Sequence, residues 1–420
     1  MIPDFSEEEA SFRAALAADP GNDEARLNLG NALFYQGRFT EAEPLFDAVA
    51  RRHPDHPMVL LNYTGLLGMI GRRNEGLTLA RKSARHFAQR ADLALTHASN
   101  LLTLGAFEEA EAFCTRVLAR FPAARGLLHD RGTARLYLGK WVAAWRDLEN
   151  RPDGPHARPM PEGFSSWTGQ RTTQPLVIEM EQGLGDGVLF LRYLADVAGR
   201  ADDVTVIARP ALHRLVRKAL PSARTITFDD ALVGGGLYAR SGSLPHLLGQ
   251  AKPVSAPYLT FTAEDVAEGL GSLKLGAANP VFGVAWSTRS STTTSALRSL
   301  PISSLRPLVA AGITLVALQL TDPAEAAELE EMGIHRLPPG SDLLDVATVT
   351  AGLTGVISID TVHAHIAGAV GTPLILSHGP QLDWRWPPGR ENTWYQAVTI
   401  FRAAGWPQYA KQFQTIADRL

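Results

Sequence analysis

Gly37, Gly71, Gly105 and Gly139 stand 34 residues apart. A small residue recurring at that interval restricts the first third of the chain to a tandem array of short, equal units. Each unit has room for two helices and a turn. Read from Asp23, the first unit places Leu29 and Gly30 at positions 7 and 8, Leu33 at 11, Gly37 at 15, Ala42 at 20, Phe46 at 24 and Pro54 at 32. The unit 91–124 repeats this with Ala98, Leu101, Gly105, Phe107, Ala110 and Pro122, and the stretch from 125 carries Gly132, Gly139 and Ala144. The unit 57–90 is degenerate, with Ala80 and Ala88 at positions 24 and 32, and Phe12 and Pro20 mark a half unit ahead of the first. Small residues at 8 and 20 let paired helices approach closely, and a glycine at 15 ends the first helix and turns the chain.

That period and pattern are those of the tetratricopeptide helix pair. Residues 1–150 are therefore expected to form an α-helical tetratricopeptide solenoid. Such stacks expose a concave groove suited to capturing a protein or peptide; a rigid spacer or a dimer surface is the alternative use.

Composition bounds the remainder. A chain of 420 residues with 45% hydrophobic content can bury two or three ordinary cores. A net charge of -3 argues against a nucleic-acid footprint. The single cysteine, Cys114, occupies a core position of a repeat helix, so neither a disulfide framework nor a thiolate metal cluster is available. The opening MIPDFSEEEA is acidic where a signal peptide is basic, and no uncharged run approaches the roughly 18 residues of a membrane helix. A cytoplasmic protein with no membrane span is expected.

At 151–174 a proline-rich segment without helical periodicity marks a linker, with Phe164 and Trp167 suited to docking it locally. Beyond Pro175, short β-rich runs alternate with helical stretches: LVIEM, VTVIA and RTITF, then FGVAWS, TLVALQL, GVISID and PLILSH. Such alternation specifies parallel sheets in α/β units. The two sets assign 175–262 to one domain and 263–420 to a second, with a final helix at about 407–419 that follows AGWPQ and is expected to cross back to the first sheet.

The turn EQGLGDG places Gly183 and Gly185 beside Asp186 at the carboxyl end of a strand, the usual ligand edge of an open sheet. Val188 stands where a dinucleotide fingerprint needs its last glycine, which argues against a dehydrogenase. Asp186 is either a reactive acid or the N-cap of the following helix. Farther on, SIDTVHAHIAGAVGTP delivers Asp360 and Thr361 to a helix start whose first turn, Val362, His363 and Ala364, has no acid. Thr361 is a good N-cap, and an uncompensated helix start suits a phosphate. His363 and His365, two apart on a helix, cannot face one point. Trp286 and Gln319 end strands and are candidate contacts for a base or ribose, with plain packing as the alternative. Arg298 follows a Ser/Thr-rich run, 287–295, that holds Arg289 and reads equally well as a disordered loop, and Asp383, Trp384, Arg385 and Trp386 set aromatics beside charges, suited to a sugar site or to a buried corner.

EQGLGDGVLFLRYL, VAWSTRSSTTTSALRSLP, ALQL, SIDTVHAHIAGAVGTP and DWRWPPGREN follow one another as in bacterial tetratricopeptide glycosyltransferases related to the heptosyltransferases. The whole chain resembles that architecture, including members that glycosylate flagellin. The resemblance implies a GT-B fold, two Rossmann-like domains facing a cleft, with the donor nucleotide on the C-terminal domain and the acceptor approaching from the N-terminal one. It carries the general base over to Asp186 and the donor-phosphate residues to Asp360, Thr361 and His365. At His363 the chain departs from the usual small or aliphatic residue.

Glycosyl transfer needs a base for the acceptor hydroxyl and positive character at the departing phosphate. Asp186 fits the first; the helix start at Thr361 with His365, Arg289 and Arg298 fits the second. No metal or cofactor is expected beyond the nucleotide-sugar substrate. The resulting expectation is an inverting transferase acting on serine or threonine of a protein held by the repeats. Flagellin is the favoured acceptor, and a nucleotide-activated nonulosonic acid is one donor the resemblance allows. The alternative is a catalytically inactive adaptor with a structural GT-B half.

Overall fold

The computed structural model describes residues 5–153, 158–273, 275, 280–289, 297–389, 392 and 394–420. The repeat region is built from α1 (Ser6–Ala18), α2 (Asp23–Tyr35), α3 (Phe39–Arg52), α4 (Pro57–Met69), α5 (Arg73–Phe87), α6 (Ala91–Thr103), α7 (Phe107–Leu118), α8 (Arg125–Tyr137) and α9 (Trp141–Leu148). The glycines of period 34 close the first helix of each pair in the left-handed conformation, with φ of +78°, +83°, +80° and +71°. The amide after each glycine reaches back to the helix, Arg38 to Leu33 O at 2.9 Å and Arg72 to Leu67 O at 2.8 Å, which satisfies carbonyls a helix end leaves bare. At position 20, Ala42, Gly76, Ala110 and Ala144 are buried, the close helix contact the pattern requires. The degenerate unit folds like its neighbours because this small position is kept.

The second half holds two all-parallel sheets. β1 (Phe164–Ser166), β2 (Leu176–Glu179), β3 (Val204–Ile207), β4 (Arg224–Ile226) and β5 (Gly236–Arg240) form the first, in the order β1-β5-β2-β3-β4. β6 (Val281–Ala285), β7 (Thr314–Ala317), β8 (His335–Arg336), β9 (Gly355–Ile359), β10 (Leu374–His378) and β11 (Val398–Arg402) form the second, ordered β11-β10-β9-β6-β7-β8. In each, the chain winds one way and then the other, so the order reverses between β2 and β5 and between β6 and β9, where doubly wound sheets hold ligands. β2, β3 and β9 are buried at every residue, as central parallel strands must be.

β1 lies inside the proline-rich segment, paired with β5 from Phe164↔Gly236 to Ser166↔Tyr238. The expected crossing of the last helix to the first sheet is not what the structure shows. That region is broken into Trp406–Tyr409 and Gln412–Ala417, and Phe413 and Ile416 bury among Trp286, Leu305 and Leu308 on the second sheet. Three-residue spacing puts Phe413 and Ile416 on one face, and that face closes the second core.

The repeats are packed against the α/β half along the edge where the glycine turns lie. A Cβ on Gly37 would lie 3.2 Å from Leu297, one on Gly71 1.9 Å from the Ala404 carbonyl oxygen, and one on Gly105 3.3 Å from Leu382. Arg73 donates to Pro380 O at 2.7 Å. Trp145 of α9 enters a core shared with both sheets, against Phe190, Trp384 and Trp394, and its indole N–H reaches Ala251 O at 2.7 Å. No helix among the described residues is long and apolar enough to cross a membrane.

Candidate active site

The carboxyl ends of β2, β9 and β10 converge on one junction. After β2 the chain turns at Gly183 into the helix Leu184–Phe190. After β9 it turns at Thr361 into the helix Val362–Val370. The two helix starts touch: a Cβ on Gly185 would lie 2.8 Å from His365 Cδ2. Glycine at 185 is thus required by the approach of a side chain from the other sheet.

Asp186 is not the N-cap of its helix. Gly183 holds that position without a side-chain bond, and Asp186 stands a turn further in. Its carboxylate accepts from Arg385 Nε at 3.0 Å and pairs with the rest of that guanidinium. Arg385 also donates to Asp383, at 3.0 and 3.2 Å, and lies 4.2 Å from the centre of the Trp384 ring. Burial works against the Arg385 charge, but Asp186 and Asp383 on either side outweigh it and hold the guanidinium protonated. The side chains of Asp186 and Asp383 remain 19% and 27% exposed.

Asp360 sits one residue beyond β9, paired with Arg298 and accepting from Trp386 Nε1 at 2.8 Å. Burial alone would raise its carboxyl; the Arg298 guanidinium wins and holds it well below the usual range. Thr361 caps the 362–370 helix, accepting from the His363 amide at 3.3 Å, and the first turn contains no acid. Burial drives both histidines of this helix down to about 4. His363 Nδ1 lies 3.2 Å from Thr361 Oγ1, so this side chain braces the cap. His365 Nδ1 lies 2.8 Å from the Tyr395 hydroxyl, with the Trp386 ring 5.2 Å away. His365 therefore spends one ring nitrogen on structure and turns its other edge toward Gly185.

Of the other candidates, Trp286 is 1% exposed in the core of the second sheet and is not a stacking surface. Gln319 accepts from the amides of Trp286 and Ser287 at 2.9 and 3.1 Å and donates to Ser287 Oγ at 2.7 Å, tying the ends of β6 and β7 together. Arg289 is 66% exposed and bonds Leu320 O, apart from the junction. Most of the Ser/Thr-rich run, 290–296, lies outside the described residues, as do 390, 391 and 393 of the last motif.

Sequence reasoning grouped Arg385 with the Asp383–Trp386 segment as a sugar site and gave no sign of its pairing with Asp186. It also missed Tyr395, for which no spacing gave a signal, and Arg192. Arg192 is half-buried against Tyr258, Trp394 and Tyr395 and donates to Leu189 O, Val254 O and Trp394 O. A lone arginine in the apolar run VLFLRYL was the available sign.

Helix pairs packed on a pair of doubly wound parallel sheets, with strand ends meeting at one junction, define the class: a helical-repeat array joined to an α/β half of two Rossmann-like sheets. Comparison with known proteins agrees on the repeats, the tetratricopeptide-repeat family matching residues 9–61. Protein FlbA of Caulobacter vibrioides is 26% identical over 426 residues, which span 91% of this chain and 70% of that protein. Among solved structures, a family 9 glycosyl transferase from Veillonella parvula aligns over 59% of this chain and 98% of its own, with TM-score 0.40 and 11% identity. PilW, a type IV pilus biogenesis factor, aligns over 35% of this chain and 68% of its own, with TM-score 0.32 and 23% identity.

Proposed function

We propose that this protein is a glycosyltransferase that moves a sugar from a nucleotide-sugar to a serine or threonine hydroxyl of a polypeptide presented by the repeats. The observation that carries this reading is the contact between two strand-end turns. One brings the carboxylate of Asp186; the other brings the acid-free start of the 362–370 helix, and Arg298 and Arg385 stand beside them. Asp186 takes the proton of the acceptor hydroxyl, whose oxygen then displaces the nucleotide from the anomeric carbon with inversion. The helix dipole, Thr361 and the two arginines meet the negative charge developing on the leaving phosphate. Flagellin remains the favoured acceptor and a nucleotide-activated nonulosonic acid a candidate donor, both resting on the resemblance in sequence.

A second reading, an inactive adaptor, draws support from the pairing of Asp186 with Arg385 and from the enclosure of both histidines. Thermal melting with CMP, CDP, UDP, GDP and ADP separates the two, because a ligand selective for the folded protein must stabilise it, by about 2.7 kcal/mol at a hundred times its Kd. A nucleotide-selective rise in Tm supports the transferase; five flat titrations support the adaptor.

A further inference from the structure

We propose that the opening between the repeats and segment 382–384 is an acceptor subsite taking a lysine or arginine side chain of the polypeptide. It rests on the transferase reading and adds a substrate preference to it. A cavity of about 220 Å³ opens there, lined by Ser99 of α6, by Asp130, Thr133 and Tyr137 of α8, and by Asp383 and Trp384. Both α6 and α8 are first helices of their repeat units, so the opening lies on the face those helices share. Since a cavity of about 150 Å³ accepts benzene, this one has room for one long side chain.

The lining decides which side chain. Asp130 is 7% exposed; its carboxylate accepts from Ser99 Oγ at 2.6 Å and lies 3.4 Å from the His129 ring. Among the described residues no lysine or arginine pairs with it, and the lining contains neither residue. A carboxylate this sheltered, held by a hydroxyl and an imidazole but by no lysine or arginine among the described residues, can take a further cation. An ammonium or guanidinium on a flexible stem supplies it, with the stem lying along Trp384 and Tyr137. An acidic segment or a free phosphate would meet Asp130 and be repelled, Asp383 being already paired with Arg385. Trp384 carries Arg385 against its ring, and Arg385 holds Asp186. A cation seated at Asp130 therefore places the neighbouring chain beside the proposed base.

Two fluorescent serine peptides that differ only in lysine against norleucine test this by anisotropy with the full-length protein. The lysine peptide is expected to bind about tenfold more tightly, a difference of about 1.4 kcal/mol. Asp130→Asn, which keeps an acceptor for Ser99, should erase that preference, and Thr133→Phe, which fills the cavity, should weaken the lysine peptide. Equal binding of the two peptides, including no binding of either, overturns the subsite. So does a lysine preference that survives both substitutions in variants with a wild-type Tm. Nucleotide melting run in parallel keeps the two ideas separate. A lysine preference without nucleotide stabilisation leaves the subsite standing and removes the transferase, whereas nucleotide binding without peptide discrimination does the reverse.

Discussion

Gly71→Ala measures how firmly the repeats are fixed to the α/β half. Gly71 has φ of +83°, and an added Cβ would stand 1.9 Å from the carbonyl oxygen of Ala404. That oxygen is backbone, so the contact cannot be relieved by a rotamer. Gly37 supplies the control: it holds the same repeat position at φ +78°, but its Cβ would meet only the end of the Leu297 side chain, at 3.2 Å. Both substitutions carry the left-handed cost, about 1 to 2 kcal/mol. Gly71→Ala alone adds displacement of packed backbone, about 1 to 3 kcal/mol, and strains the neighbouring Arg73 bond to Pro380 O. The expected losses are thus about 1 to 2 kcal/mol for Gly37→Ala and about 2 to 5 for Gly71→Ala. Urea unfolding followed by circular dichroism gives the difference. Hydrogen exchange localises it, since the Ala403 and Tyr409 amides, bonded to His378 O and Gly405 O, should exchange faster in Gly71→Ala only. Equal losses with unchanged exchange would refute the docked edge.

Three further outcomes are expected. Asp186→Asn should retain the wild-type Tm within a few degrees and lose about 10²- to 10⁴-fold in transfer rate; near-normal transfer would remove Asp186 as the base. Trp145→Ala should destabilise the α/β half as well as the repeats, by about 3 to 5 kcal/mol, because its indole lies in the shared core; loss confined to the repeats by exchange would contradict that. Burial holds His97, His363 and His365 down at about 4, against an ordinary value of 6.5. Between these values the unfolded chain binds protons that the folded chain refuses. Stability present above pH 6.5 should fall as pH drops toward 4, at up to about 1.4 kcal/mol per pH unit for each histidine. The buried Glu179 carboxyl, raised by desolvation, works in the opposite direction. Urea midpoints at pH 7 and pH 5 check the sign, and equal or higher stability at pH 5 would contradict it.

The sequence by itself determined what depends on near neighbours along the chain. The 34-residue glycine spacing set the helix pairs, since a left-handed turn is a local demand and glycine meets it most cheaply. The helix Val362–Val370 was legible from its cap, because a helix start is decided within a few residues. The buried strands of LVIEM and GVISID were legible as short, mostly apolar β-rich runs. The short strands β1 and β8 were not, for they exist only through pairing with distant partners.

At the junction the division is the same. The acid-free helix start at Thr361 was visible in sequence, and so was Asp186 as a candidate. That Asp186 would be held by Arg385, 199 residues away, had no signature in either segment. The same is true of His365, which lies against Gly185 and Tyr395. Packing also converted Trp286 from a candidate ligand surface into core. Such charge pairing and burial are properties of the assembled sheets and not of any one segment. Even the glycines of the repeat acquire a second role only in three dimensions. Their turns form the edge on which the α/β half rests, and that edge exists once the helix pairs have stacked.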